Sequence, residues 1–506
     1  MIDYILNLPA KFWQRLGIIL FSYLGANFLS RYVTFARFVD PSLLVSILFV
    51  SIVLGLVVLN KAVKNNFQTF IIGQLMFFWM ILDAFLIKTT GFSFKPYGLV
   101  FGFVVFAAFV YFFRYFNLLC KFNIFRYLSV FFIINIIYYF CYHSNFNITL
   151  VSSIYNWTNF SENQDAKTIV FLNSLAVLTS SILAISAFYN IKTKEQIDKM
   201  IMKTMKISAV AFSLVLLMVI VIGNINGAGY QVYLPIYFLF LLGLKYYIDN
   251  NLNISQRYSD VLLVFLIGLF GLTLLSCNKS ALISVLLTTM TCVFINFRLK
   301  LKFNIFNIIK DKRFGLWFIL AVVFVILFVA AKFNIIAVVV SKISDSMEAF
   351  QGVTSLYIRK ANWKYFLQYW HSHIDSFKVI FGFGLGKSRE VMFYSSSMMY
   401  SPIYRVQTTH NQYMEMFFDY GLMSLFYYLP LLIIAFRSIV NLFSSTVDKN
   451  IKLLSNVSLM LLIFYGLYHT TDGLRVQTAI IFFATLVYLE ALKYTLTRAK
   501  TDKSSN

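Results

Sequence analysis

The chain reads as an all-α polytopic integral membrane protein, and three observations predict it. Of its 506 residues, 60% are hydrophobic and only 12% charged, with a mean hydropathy of +0.76, far from the composition of soluble domains. Apolar runs recur along nearly the whole length, each close to the roughly 17 to 25 residues that a helix needs to cross a bilayer. Lys and Arg gather in alternate connections between those runs, as the positive-inside rule requires. The expectation is one integral domain over 1–506 with about fourteen transmembrane helices (12 to 14). A single large outer loop, 333–409, is inserted between two of them and is expected to hold short amphipathic helices.

The runs begin near Leu16, Ser42, Phe67, Tyr97, Tyr127, Ala166, Ile207, Gln231, Asp260, Ala281, Phe314, Gln412, Lys452 and Val476. With the amino terminus inside, the inner segments hold Lys11 and Arg15, the group Lys192 to Lys206, the dense group Arg298 to Arg313, and the tail Lys493 to Lys503. The short outer loops hold only Arg31, Arg37, Lys88, Lys95, Lys167, Lys279 and Arg475. The stretch from His143 to Asp165 has no Lys or Arg, which suits a translocated loop and fixes the register. Both termini then fall on the cytoplasmic side and 333–409 on the outer side. No small-residue cleavage site follows the first apolar run, so that helix is expected to stay as an uncleaved anchor.

A net charge of +23 would fit nucleic acid if it formed one basic face. Here it is dispersed between apolar runs and serves topology, so no nucleic-acid partner is expected. Cys120, Cys141, Cys277 and Cys292 show no metal-ligand spacing, and they read as small apolar residues of helices. No metal site and no cofactor are expected. No inverted repeat is visible in the sequence.

The stretch Thr408 to Gly421 carries the most chemistry. Thr409 with Gln412 has the form of a capping box, which makes Thr409 the expected N-cap and His410 the first helical residue. The positive end of the helix dipole there favours a nearby anion and keeps an imidazole neutral. His410 is then either an interfacial polar residue or a general base. Glu415 and Asp419 follow one turn apart, as a proton relay or in a structural or acceptor-orienting role.

Within the outer loop, Leu356 to Trp370 is amphipathic at helical spacing. Ile358, Asn362, Tyr365 and Tyr369 fall on one side and Arg359, Trp363, Phe366 and Trp370 on another. Arg359 either snorkels to water beside belt aromatics or holds a phosphate. The run Gly382-Phe383-Gly384-Leu385-Gly386-Lys387-Ser388 ends like a nucleotide-binding P-loop, yet Phe381 stands where that motif needs glycine. Its alternate glycines predict a tight turn that lets backbone approach a substrate or another helix. Lys279 opens another outer helix end, where it either snorkels or acts as a second phosphate ligand.

Taken in order, Lys279-Ser280-Ala281, Arg359 with Trp363, the glycine run Gly382 to Gly386, His410-Asn411-Gln412-Tyr413 and Gly421 resemble the O-antigen ligase and polymerase superfamily of bacterial envelopes. The resemblance covers about Asp260 to Val440. Many relatives have arginine where this chain has Lys279. The resemblance implies a GT-C-like fold in the bacterial inner membrane, with 333–409 periplasmic. It implies metal-independent, inverting glycosyl transfer from an undecaprenyl-diphosphate-linked oligosaccharide to a glycan acceptor. His410 would be the base, and Arg359, Lys279, Arg405, Lys360, Asn411, Tyr413 and Glu415 would bind diphosphate or glycan. No Asp-x-Asp pair occurs in an outer segment, so cations would neutralise the leaving diphosphate.

Membrane lipids, a flippase and a chain-length regulator are further partners that the resemblance implies. Length and span number favour a surface polysaccharide polymerase. The alternatives are a ligase that moves finished glycan onto a lipid A core and, from another class, a multi-span transporter. A transporter requires polar residues at mid-membrane depth, where the candidate acids are few: Asp83, Glu415, Asp419 and Glu490.

Overall fold

The structure is a computed structural model, and it describes residues 65–75, 78–79, 81–82, 85–86, 89, 96–141, 147–149, 163–222, 233–252, 262, 266, 269, 288, 355–392, 411–470 and 476–504. The expected spans from Leu16, Ser42 and Phe314 lie outside these residues, and of those from Asp260 and Ala281 only isolated positions are described. The chain folds as two compact units. One holds Met1–Arg126, Leu175–Ile197 and Ala479–Asn506, the other Tyr127–Ser174 and Asp198–Thr478.

In chain order the helices are α1 (Asn66–Gln74), α2 (Pro96–Arg114), α3 (Phe116–Leu119), α4 (Asn123–Cys141), α5 (Ala166–Ser186), α6 (Lys194–Ile222) and α7 (Tyr233–Asn251). They continue with α8 (Ser355–His373), α9 (Ser376–Phe381), α10 (Gln412–Tyr420), a 3-10 turn Gly421–Ser424, α11 (Leu425–Phe443), α12 (Lys449–His469) and α13 (Val476–Ser504). Between α4 and α5 lies a short antiparallel pair, β1 (Asn147–Thr149) and β2 (Asn163–Asp165), in which Ile148 faces Gln164. It falls in the loop without Lys or Arg, and among the described residues it is the one departure from helix and connection.

Four helices among the described residues are long and apolar enough to cross a membrane: Asn123–Phe140, Gln412–Phe443, Lys449–His469 and Ala479–Ala499. The chain is a helical membrane protein. Its exposed apolar residues fall in stripes, as lipid-facing surfaces do. On α11, Leu425, Leu429, Leu432, Phe436, Val440 and Phe443 are exposed at helical spacing, and on α4 so are Val130, Ile133, Ile137 and Phe140. The opposite face of α11 buries Tyr427, Leu431, Ile434 and Leu442.

In the first unit, α13 is buried on every side between Ala479 and Leu489, a stretch in which Thr485 is the one polar residue. Phe70 of α1 stacks on Tyr488 of α13 at 5.1 Å. Buried Asn66 is paired inside this unit: its amide donates to the Tyr115 hydroxyl at 2.8 Å and to the Ser186 carbonyl at 3.0 Å.

In the second unit, α7 and α12 meet where Gly243 leaves room for Val457. At their ends Asn251 and Asn450 exchange amide hydrogen bonds of 2.8 and 2.7 Å. The start of α6 differs from the expectation at Ile207. Thr193 and Gln196 form a reciprocal capping box, each backbone N–H donating to the other's side chain at 3.3 Å. Ile197, Ile201 and Met205 are then buried on one face, so the basic stretch before Ile207 is an amphipathic extension of the helix.

Candidate functional site

The site is assembled in the second unit from α8, α9, the glycine turn and α10. Phe366 of α8, 2% exposed, sits in an apolar cluster with Val391, Met392 and Phe418, flanked by Tyr365, Tyr369, Trp370, Phe383 and Met414. Its ring centroid lies 4.5 Å from that of Phe418 on α10. The buried stripe of α8 therefore draws on both of the sides expected from its sequence, because Phe366 is the side chain that fits against Phe418. Asp375 caps α9 by accepting from the Lys378 N–H at 2.8 Å, and its carboxylate pairs with the Lys378 ammonium at 2.8 Å. These bonds from Lys378 hold the exposed Asp375 carboxyl below the usual aspartate range.

The glycine turn caps the carboxyl end of α10. The last carbonyls of a helix have no partner within it, and here Gly421 N–H donates to Phe417 O. Phe383 N–H donates to Phe418 O at 2.8 Å and Gly384 N–H to Asp419 O at 3.1 Å. The turn reaches that close because Gly382 and Gly421 have positive φ, 72° and 57°, a region that L side chains rarely adopt. Asp419, 2% exposed, directs one carboxylate oxygen to Gly386 N–H at 3.2 Å and the other to Ser388 N–H at 2.8 Å. The expected approach of glycine backbone to another helix is thus realised on α10. The N–H groups of the turn are engaged by protein, which separates it physically from a phosphate-cradling loop.

At its amino end α10 differs from the expectation. Asn411, and not Thr409, is the N-cap: its side chain accepts from Met414 N–H at 3.1 Å, and the helix begins at Gln412. His410 precedes the cap and is not the first helical residue. Gln412 does not complete a box with Thr409, because its amide is held elsewhere. Its Nε2 donates to the Tyr427 hydroxyl at 3.3 Å and its Oε1 accepts from the Tyr465 hydroxyl at 3.2 Å, while Tyr427 and Tyr465 share a hydrogen bond of their own.

Tyr413 donates to the Gly466 carbonyl at 3.1 Å, one of the orphan carbonyls at the end of α12. The buried ring of His469 lies one turn on, 4.1 Å from that of Tyr465. The start of α10 is therefore fixed against the last turn of α12. Its far end is fixed to α4, since Tyr420 donates to Asn135 Oδ1 at 2.5 Å, and α9 is tied to α4 as well, since Tyr138 donates to the Phe381 carbonyl at 2.8 Å.

Along α10 runs a small cavity of about 30 Å³, lined among others by Phe131, Asn173, Arg389, Gln412, Glu415, Asp419, Tyr420 and Tyr427. Arg389 is buried, and its Nε has no hydrogen-bond partner.

Of the residues expected at the site, Asn411, Tyr413 and Glu415 come together on α10. Arg359 and Lys360 lie near the amino end of α8, the helix packed on α10 through Phe366. His410, Lys279 and Arg405 lie outside the described residues. Arg389 and His469 had not been expected at the site. A histidine closing a helix is one signal for His469, but nothing local marks Arg389, whose cavity neighbours are distant in sequence. Among the described residues no group of three or more His, Cys, Asp or Glu is placed to hold a metal ion.

Residues 263–429 match the family model described as O-antigen ligase. The match contains α8, α9, the glycine turn and α10, and it ends within α11. No curated protein matches the chain.

Proposed function

We propose that this membrane protein, whose residues 263–429 match the O-antigen ligase family model, is a surface polysaccharide polymerase. It joins undecaprenyl-diphosphate-linked repeat units on the outer face of the bacterial inner membrane, with both termini cytoplasmic and 333–409 periplasmic. The observation that carries this reading is the fixed start of α10. Gln412 and Tyr413 tie it to Tyr427, Tyr465 and Gly466, while Asp419 and the glycine turn hold its other end. This reading puts the base one residue before that fixed cap, where acid–base catalysis by a positioned group has a rigid element to build on.

In this mechanism His410 takes the proton of an acceptor hydroxyl as its oxygen attacks the anomeric carbon of the donor sugar. Attack comes from the face opposite the diphosphate, so the configuration inverts. The bond from that carbon to the diphosphate oxygen breaks, and undecaprenyl diphosphate leaves with the electron pair. Arg359, Lys360, Lys279 and Arg405 supply the positive charge that stabilises the leaving group. A general base of this kind contributes roughly 100-fold to 10,000-fold.

The description of the matching family as O-antigen ligase favours a second reading, transfer of finished glycan to a lipid A core. The transporter alternative loses support: the Asp419 carboxylate is directed to backbone N–H groups, and Glu490 pairs with Lys493 at 2.5 Å.

Deleting the gene and complementing with wild type or His410→Ala tests the proposal. His410→Ala is expected to lose the polysaccharide ladder, keep normal protein level and accumulate lipid-linked repeat units. Polymer that still forms but stays on its lipid carrier identifies the ligase. A normal ladder on a normal core removes His410 as the base.

A further inference from the structure

We propose that α9 is a membrane-surface helix whose Phe377 and Ile380 enter the acyl layer of the bilayer, with phospholipid as the partner. Such a contact is independent of the reaction that the site performs. Phe377 keeps a ring contact with Phe381 at 4.7 Å and is still 59% exposed, while Ile380 is 40% exposed. Three residues apart, the two share one face of α9. The charged groups belong to the other side. Asp375 and Lys378 pair with each other, and the Lys378 ammonium also donates to the His373 carbonyl at 2.7 Å and stands 5.2 Å from the centre of the Phe383 ring. An apolar face opposite a charged one is the pattern of helices that lie in the plane of the membrane interface.

The neighbours of that face identify what covers it. The end of α9 is tied to α4 through Tyr138 and the Phe381 carbonyl. It also packs against the 3-10 turn before α11, where a Cβ on Gly421 would stand 2.4 Å from Val379 O and 2.8 Å from Ile380 C. Both α4 and α11 lie in candidate membrane spans, and each brings an exposed apolar stripe to this place. Ile137 and Phe140 end the stripe of α4, and Leu422 and Leu425 open that of α11. α9 therefore bridges the ends of two lipid-facing stripes, and its own exposed pair continues them. Contiguous apolar surface marks a membrane or a protein contact, and continuity with lipid-facing helices on two sides selects lipid. α9 ends at Phe381, and Gly382 opens the turn that caps α10. The lipid contact thus sets where the carboxyl end of α10 stands relative to the bilayer.

The test reconstitutes the full-length wild-type protein in phosphatidylethanolamine and phosphatidylglycerol vesicles that carry a diazirine within the acyl chain. Labelled positions are read by peptide mass spectrometry after illumination. Label is expected on Phe377 or Ile380 as well as on Leu429 and Leu432 of α11, and not on the exposed His371 and Ser372 of α8. Label on α11 with α9 unlabelled overturns the proposal. Equal label on His371 and Ser372 overturns it too, because the lipid contact would then not be confined to one face of α9.

The occupant is identified separately with the photo-crosslinking residue p-benzoylphenylalanine in place of Phe377. A mass increase of one phospholipid supports the proposal. A covalent dimer, or an adduct with another protein or with a polyprenyl lipid, overturns it by naming a different occupant. Where that variant does not accumulate, the same replacement at Ile380 reads the same quantity.

Discussion

Gly382 and Gly421 cross backbone to backbone: a Cβ on Gly421 would stand 2.7 Å from Gly382 N, and a Cβ on Gly382 would strike the backbone of Asp419 and Tyr420. Both have positive φ, so a substitution at either meets conformational strain and a clash that no side-chain rotation relieves. Gly421→Ala is expected to destabilise the protein by about 2 kcal/mol or more, read as a lower melting temperature and reduced accumulation in the membrane. Unchanged melting would show that the turn does not lie on α10.

Asp419→Asn separates a structural carboxylate from a proton relay. An amide offers one acceptor oxygen where the Gly386 and Ser388 N–H groups use two, leaving one donor facing an NH₂. The expected cost is about 1 to 3 kcal/mol, measured by thermal melting. A relay would instead give a variant of native stability with an altered pH–rate profile.

Tyr413→Phe removes only the hydroxyl that caps the Gly466 carbonyl. Stability is expected to fall by about 0.5 to 1.5 kcal/mol. If this tie positions the start of α10, the maximal rate falls by more than the lost stability accounts for. A rate equal to wild type at full folding shows that Gln412 and Asn411 hold the helix start without it.

Topology is tested at Ser396→Cys. The proposed orientation has 333–409 outside, so this cysteine is expected to react with a membrane-impermeant maleimide once the outer membrane alone is opened. Labelling only after the inner membrane is breached would reverse the orientation.

Much of the helical framework was legible because membrane helices announce themselves by apolar length: α2, α5, α7 and α13 begin within two residues of their expected starts at Tyr97, Ala166, Gln231 and Val476. The start of α6 was not, since the buried Ile197, Ile201 and Met205 lie among lysines that lower the hydropathy of the stretch. At α10 the spacing of Thr409 and Gln412 pointed to the wrong cap. Asn411 caps the helix while tyrosines from α11 and α12 hold the Gln412 amide, and local spacing carries no trace of them. The ties from Asp419 to Gly386 and Ser388 and the place of Arg389 are likewise tertiary facts.

The length of α11 has a mechanical consequence. Its nineteen residues rise about 28 Å at ~1.5 Å each, close to the ~30 Å of a bilayer's hydrocarbon core. With its exposed apolar stripe, α11 is long enough to fill that depth without the nine residues of α10 that precede it in the same candidate span. Under the proposed glycosyl-transfer reading the helix acts as a ruler, setting the height of α10 relative to a lipid-linked donor. Adding one turn to α11 shifts that height by about 5.4 Å, so under that reading membrane thickness becomes a variable of the reaction.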